Sequence, residues 1–125
     1  NMLINFVSFG FKFGVPSDAD LVFDVRCLPN PFYVLDLKEK TGLSDDVYNY
    51  VFSFADSNEY FDRIAGLIEF IMPLFVEEGK SQVVIAIGCT GGKHRSVSFV
   101  RRLNDYVNKA QIANSLAAHR DISKT

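Results

Sequence analysis

Residues 82–96 read Gln82-Val83-Val84-Ile85-Ala86-Ile87-Gly88-Cys89-Thr90-Gly91-Gly92-Lys93-His94-Arg95-Ser96, and this stretch decides the fold. An apolar, β-branched run empties into a segment holding Gly88, Gly91 and Gly92. Val97, Val100, Leu103 and Tyr106/Val107 then recur at helical spacing. The pattern predicts a strand, a tight glycine loop and a helix N-terminus. Glycine lets the backbone turn inward, and the first N–H groups of a helix lack acceptors of their own, so they converge on whatever fills the loop. Lys93, His94 and Arg95 add positive or titratable charge at the same spot. The guest such a loop favours is an anion, above all a phosphate.

Upstream of the loop, the β-rich run Leu3–Phe9 predicts a first strand, followed by a loop through Gly10, Gly14 and Pro16. Leu21-Val22-Phe23 predicts a short buried strand ending in Asp24-Val25-Arg26, whose opposite charges read either as an ion pair or as ligand contacts. Pro29 and Pro31 keep Cys27–Pro31 extended or turning. Ser44 is placed to cap a short helix with Asp45 and Asp46 in its first turn. Asp56 and Glu59 resemble a capping box for a long helix on which Phe61, Ile64, Leu67/Ile68, Ile71 and Leu74/Phe75 fall on one face. Pro73 is expected to kink or shorten that helix, and Gly79 to end it. Beyond the loop and its helix, Ile112–Ala118 is a weak candidate for a last strand. Together these elements predict an α/β domain with a small, mostly parallel sheet of about four strands flanked by helices. The glycine loop lies at a strand's C-terminal end, where open α/β sheets place ligands.

Composition narrows the class. At 125 residues with 48 % apolar content, twelve Phe and no Trp, the chain suits one domain with a packed core. No run approaches the length of a membrane span, and no signal-peptide layout is present. Cys27 and Cys89 make neither a CxxC nor a zinc pattern; one disulfide between them is possible, and a reduced, cytoplasmic setting is the expectation. The net charge of −2 hides an asymmetry: residues 1–79 carry five Lys/Arg against thirteen Asp/Glu, whereas residues 80–125 carry eight Lys/Arg against two Asp. A basic C-terminal third around a glycine loop favours polyanionic or phosphorylated partners. Asn1-Met2 leading directly into a strand reads as one domain, residues 1–125, of a longer protein.

Four readings of the loop compete. A nucleotide P-loop fails on spacing, because only Cys89, Thr90 and Gly91 separate Gly88 from Gly92, and Lys93 is followed by His94 where a hydroxyl is needed for magnesium. Residues 89–96 do fit C-x-x-G-x-x-R-S, the phosphate loop of cysteine-dependent phosphatases. There Cys89 would be the nucleophile, Arg95 the phosphate clamp and Asp24 the general acid. Gly88 stands where those enzymes usually carry His, and no acid loop is evident. A third reading binds a phosphorylated small molecule without turnover, through the loop amides, Thr90 and Arg95, with His94 and Asp24 meeting polar groups beyond. The fourth is a turn with no ligand.

Several ordered blocks add a resemblance. Ser8–Gly14 (SFGFKFG), Asp18–Arg26 (DADLVFDVR), Leu28–Pro31, Thr41–Leu43, Ala86–Val97 and His119-Arg120-Asp121 closely resemble the C-terminal domain of the RapZ/YvcJ family, over nearly the whole chain. That resemblance implies a regulatory, non-enzymatic domain. In full-length members it follows an N-terminal P-loop domain that binds and hydrolyses ATP or GTP, so no cofactor is implied for this domain. It implies binding of glucosamine-6-phosphate, with contacts on Asp24, Cys89, Thr90, Gly91, Gly92, His94 and Arg95. It also implies small regulatory RNAs, an endoribonuclease partner and self-association into an oligomer. RNA contacts would fall on Lys12, Arg26, Lys93, Arg120 and Lys124. The chain departs from the RNA-binding members at Phe32, where they have His, and in a thin basic tail with only Arg120 and Lys124.

Overall fold

The computed structural model describes residues 2–125. Its strands are β1 (Leu3–Gly10), β2 (Leu21–Asp24), β3 (Gln82–Cys89) and β4 (Asn114–His119); its helices are α1 (Asp45–Val51), α2 (Ala55–Glu78) and α3 (Arg95–Lys109). Short 3-10 turns cover Phe11–Phe13 and Pro31–Tyr33. The strands form one parallel sheet in the order β2-β3-β1-β4. This is the small α/β architecture that the alternation of β-branched and helical runs predicts.

Burial follows position in the sheet. The central strands β1 and β3 are enclosed on both faces toward their C-terminal ends, which is why β3 reads as a continuous apolar run. Ile4, Phe6, Ile85 and Ile87 meet Phe61, Ile64 and Ile68 of α2 and Phe99 and Leu103 of α3 in one core. Each such side chain contributes roughly 1.5–3 kcal/mol through its removal from water. The strand at Leu21–Phe23, expected to be buried, is an edge strand instead: Leu21 and Phe23 are half-buried and Val22 faces solvent. β2 pairs only with β3 and is too short to be covered on its outer side.

Three local expectations change in detail. Asp56 and Glu59 form no capping box, because α2 begins at Ala55 with Phe54 at the cap; Glu59 pairs with Arg63 one turn on, at 2.7 Å, and Asp56 sits in the first turn. Ser44 occupies the cap position of α1 without a side-chain bond. Pro73 neither ends nor shortens α2, which runs 24 residues through it. Pro73 and Glu69, whose carbonyl loses its helical donor, both lie on the solvent side. Gly79 then closes the helix as expected, in the left-handed region at φ 105°, with the Lys80 N–H donating back to the Phe75 carbonyl.

Candidate functional site

β1 and β3 end side by side, with Gly10 opposite Cys89. The chain leaves β3, turns through Thr90–His94 and re-enters the fold as α3, so the first N–H groups of α3 face the turn. Segments distant in sequence clamp this turn from below. Gly92 has φ 79°, and a Cβ there would stand 2.6 Å from the Gly10 nitrogen. A Cβ on Gly10 would in turn stand 2.5 Å from the Gly91 carbonyl carbon. Only glycine allows the two backbones this close. The Lys12 N–H donates to the Thr90 carbonyl at 3.3 Å, and the Gly42 N–H to the Lys93 carbonyl at 2.8 Å. The Ser98 hydroxyl donates to the Gly42 carbonyl at 3.2 Å, so Thr41–Leu43 is pinned against the start of α3.

Asp121 completes the underside. Its carboxylate is fully buried and accepts from the Gly10 N–H at 2.8 Å, from Arg120 at 2.8 and 3.0 Å, and from Lys124 at 2.6 Å. Burial pushes its carboxyl up, but the bonds from Arg120, the Gly10 amide and Lys124 outweigh it and hold the group at about 2. Arg120 also donates to the carbonyls of Phe13 and Gly14.

Arg95 is the contrasting charge. Its side chain lies at the head of α3 with the residue only 3 % exposed. Nη1 donates to the carbonyls of Arg26 at 2.8 Å and Leu28 at 2.9 Å, and Nη2 reaches the Thr90 hydroxyl at 3.5 Å. Nε has no partner among the described residues, and no carboxylate pairs with the guanidinium. Beside it, the Cys89 thiol is buried and donates to the Ser96 hydroxyl at 3.1 Å. The His94 ring is buried with Nε2 3.2 Å from the Lys38 carbonyl, which fits an Nε2–H tautomer. Burial pushes the imidazole below the usual His range, and the neighbouring Lys93 and Arg95 charges act in the same direction.

Above the loop opens a cleft of about 480 Å³. Cys89, Thr90, Gly91, His94 and Arg95, all singled out from the sequence, line it together with Lys12, Lys93 and Lys124. Gly92 lies beneath, as the backbone hinge described above. Asp24 is not in the lining: it forms a bidentate pair with Arg26, Nη2 to Oδ2 at 2.6 Å and Nε to Oδ1 at 3.0 Å. Of the two sequence alternatives for this pair, the ion pair is the one observed, and the Arg26 hydrogen bonds hold the Asp24 carboxyl below its ordinary range. Arg26 itself stacks over the Phe11 ring at 3.8 Å, and Arg120 is spent on Asp121. Both cysteines are free, Cys27 exposed and Cys89 buried, in place of the disulfide alternative.

The opposite wall was not foreseen. Asn30, Phe32 and Tyr33, in and before the 3-10 turn Pro31–Tyr33, line the cleft, with the two rings edge-to-face at 5.6 Å. The available signal was Pro29 and Pro31, which force the segment out of regular structure and present its aromatics. Chemically, the cleft joins a cationic, amide-rich floor to an aromatic wall, which suits a phosphate ester with a ring attached. Among the described residues, no group of three or more His, Cys, Asp or Glu could hold a metal ion, and no helix is long and apolar enough to cross a membrane.

Comparison with known proteins bears on this site. The RapZ C-terminal domain family matches residues 2–123. Nucleotide-binding proteins of Staphylococcus aureus strains JH9, Newman and Mu50 are each 54 % identical to the chain over 118 residues. The match covers 94 % of this chain and 39 % of each of those proteins, so the chain spans well under half of their length. The residues that converge on the loop — Gly10, Gly42, Gly92, Arg95 and Asp121 — all fall inside the matched range. The chain belongs to the RapZ C-terminal domain family.

Proposed function

We propose that this domain is a regulatory, non-enzymatic sensor of a phosphorylated sugar of the glucosamine-6-phosphate type, working in the cytoplasm. One observation carries the reading: among the described residues Arg95 is a buried guanidinium in no salt bridge and with an unpartnered Nε, at the edge of a glycine loop and a helix N-terminus. A buried cation without a counter-ion is costly, and a bound phosphate supplies what is lacking through charge-assisted bonds from Arg95, the Thr90 hydroxyl and the loop amides. Lys93, Lys12 and Lys124 attract the anion to the cleft mouth. The sugar hydroxyls meet His94 and Asn30, and the ring lies toward Phe32 and Tyr33. ATP or GTP binding belongs, in this reading, to the part of the longer relatives that this chain does not span. Millimolar glucosamine-6-phosphate is expected to raise the melting temperature of the domain, and Arg95→Ala to abolish the shift. No shift for the unaltered domain would overturn the reading.

RNA contact is the second half of the proposal. Three of the five basic residues expected from the resemblance, Lys12, Lys93 and Lys124, line the same cleft, so the RNA backbone and the sugar phosphate would share cations. Such binding releases counterions, and gel retardation of a structured RNA should weaken steeply with salt. Unchanged mobility at low salt removes this half alone.

The phosphatase alternative is favoured by one contact, the Cys89 thiol on the Ser96 hydroxyl at 3.1 Å, which would stabilise a thiolate. It is weakened by Asp24, the candidate acid, which is tied to Arg26 and does not line the cleft. Turnover of an aryl phosphate that vanishes in Cys89→Ser would replace the sensor reading with this one.

A further inference from the structure

The sheet has two edges, and only one is protected. β2 spans four residues and ends in the Asp24–Arg26 ion pair, and just before it the Asp20 carboxylate accepts from the Val84 N–H at 2.8 Å. Charges of this kind keep a foreign strand away. β4, at the other edge, reads Asn114-Ser115-Leu116-Ala117-Ala118-His119, with no Lys, Arg, Asp, Glu or Pro. The Asn114 N–H donates to the Met2 carbonyl at 3.2 Å and the Arg120 N–H to the Ser8 carbonyl at 3.0 Å, which fixes the parity of the ladder. Even-numbered residues bond to β1, so the N–H and C=O groups of Ser115, Ala117 and His119 point outward, and they have no partner among the described residues. The side chains of Ser115 and His119 turn inward, onto Asn104 at 2.6 Å and Ser8 at 2.7 Å. Leu116 points to the opposite face and is 61 % exposed. Where β4 begins, a second cavity of about 480 Å³ opens beside the end of α3, and Asn108, Gln111 and Asn114 bring three carboxamides to it. Gln111 has φ 56°, the one non-glycine residue in the left-handed region among the described residues. Glycine would adopt that backbone without strain, so the Gln111 side chain is kept at some cost in stability.

We propose that β4 and this cavity together form the docking edge for an uncharged, extended segment of another protein. The segment adds to the sheet as a further strand and sets a polar side chain among the three carboxamides. The outward backbone groups recur at every second residue, which is the repeat of a strand and of no helix. The neutrality of β4 selects a neutral guest, since a charged side chain laid along it would lose water and gain no counter-ion. Leu116 offers an apolar guest side chain a contact on the face away from α3. A second copy of this chain does not fill the same space. Past His119 the chain turns away to bury Asp121 against the Gly10 amide, and residues 110–113 before β4 form a turn. The β4 of another copy could therefore cover the strand but not reach the cavity. Only a segment that stays extended beyond the length of β4 fills both. This inference is independent of the ligand reading.

Panning a phage-displayed library of random peptides against the domain tests it, with counter-selection on Ala117→Pro. That proline removes an outward N–H and leaves the bonds to β1 in place. Uncharged peptides with alternating apolar residues should be enriched. A synthetic copy of the most enriched peptide should slow hydrogen exchange at the Ser115, Ala117 and His119 amides. Ala117→Pro should weaken its binding about tenfold or more, and Leu116→Lys, which adds a charge to the edge without touching the backbone, should act in the same way. Gln111→Gly should weaken it by about threefold while raising the melting temperature of the domain, a pairing of effects that a merely structural Gln111 would not produce. No enrichment over the counter-selected background would overturn the proposal. So would enriched peptides that are charged, or that bind both edge variants as well as the unaltered domain. A dimer of the domain that dissolves in Ala117→Pro would give this edge to a second copy and overturn it too.

Discussion

Two buried charges flank the glycine loop, and they are built in opposite ways. Asp121, below the loop, is fully enclosed and saturated: an amide N–H, a guanidinium and an ammonium all point at it. Arg95, at the head of α3, is almost as deeply enclosed, yet its partners are neutral carbonyls and a hydroxyl, and its Nε–H has none among the described residues. Burial of a charge is tolerated when an opposite charge or several hydrogen bonds compensate it. Asp121 meets that condition within the chain, whereas Arg95 meets it only in part. The contrast separates a structural fastening from the group that the proposed function makes the anion receptor. The fastening holds Gly10 against Gly92 and so fixes the loop; Arg95 stands at the loop's rim with its Nε unpartnered among the described residues.

The sharpest way to break this contrast is to remove each charge in turn. Asp121→Ala leaves the Gly10 amide, Arg120 and Lys124 without their shared acceptor. It should cost about 3–5 kcal/mol in a denaturant titration, the range for deleting one partner of a buried ion cluster. Arg95→Met keeps the volume and removes an uncompensated cation, at the expense of two carbonyl hydrogen bonds, so about 1–2 kcal/mol is expected without ligand. Equal losses for the two would mean that Arg95 is a structural residue and that the contrast is false. Next in size is the ligand effect itself. At a hundredfold excess over its dissociation constant a phosphate ester stabilises the native state by about 2.7 kcal/mol. Arg95→Met should erase that gain, whereas Lys93→Ala, at the cleft mouth, should only reduce it.

The same contrast explains what sequence could and could not reveal. The β-branched run, the three glycines and the helical recurrence of Val97, Val100 and Leu103 are local, and the strand, loop and helix they imply are all present. The weak strand near Ile112–Ala118 is also real, since pairing with β1 supplies the order that Ala and Asn propensities do not. Arg95 was legible because a loop and its first helical turn are continuous in sequence. That Asp121 fastens the loop was not, because Gly10 and Asp121 meet across 111 residues. The aromatic wall at Phe32 and Tyr33 was missed for a related reason: it faces the loop only through the packing of the turn at Pro31–Tyr33. Asp24, which the resemblance counts among the ligand contacts, is bound to Arg26 two residues on and does not line the cleft, a pairing its strand-end position left open.

The smallest expected effect is one of pH, and it distinguishes the two sides of the loop. His94, lining the cleft, and His119, bonded to Ser8 below it at 2.7 Å, are both held under the usual His range by burial. Between those lowered values and the ordinary value of about 6.5, the unfolded chain binds more protons than the folded one. Stability therefore rises with pH across that interval and levels off above it, so melting temperatures should fall as the buffer is taken from about pH 7.5 to 5.5. Asp121 adds nothing to this slope, because its stabilisation is fully present above about pH 4 and is lost only as pH drops toward 2. His94→Asn and His119→Asn should each flatten the profile in part. Saturating phosphate should flatten only the share due to His94, since an anion in the cleft favours the imidazolium there and leaves His119 untouched. A slope that phosphate reduces equally in the His94→Asn variant would place the anion away from the loop and undo the assignment of Arg95 as its receptor.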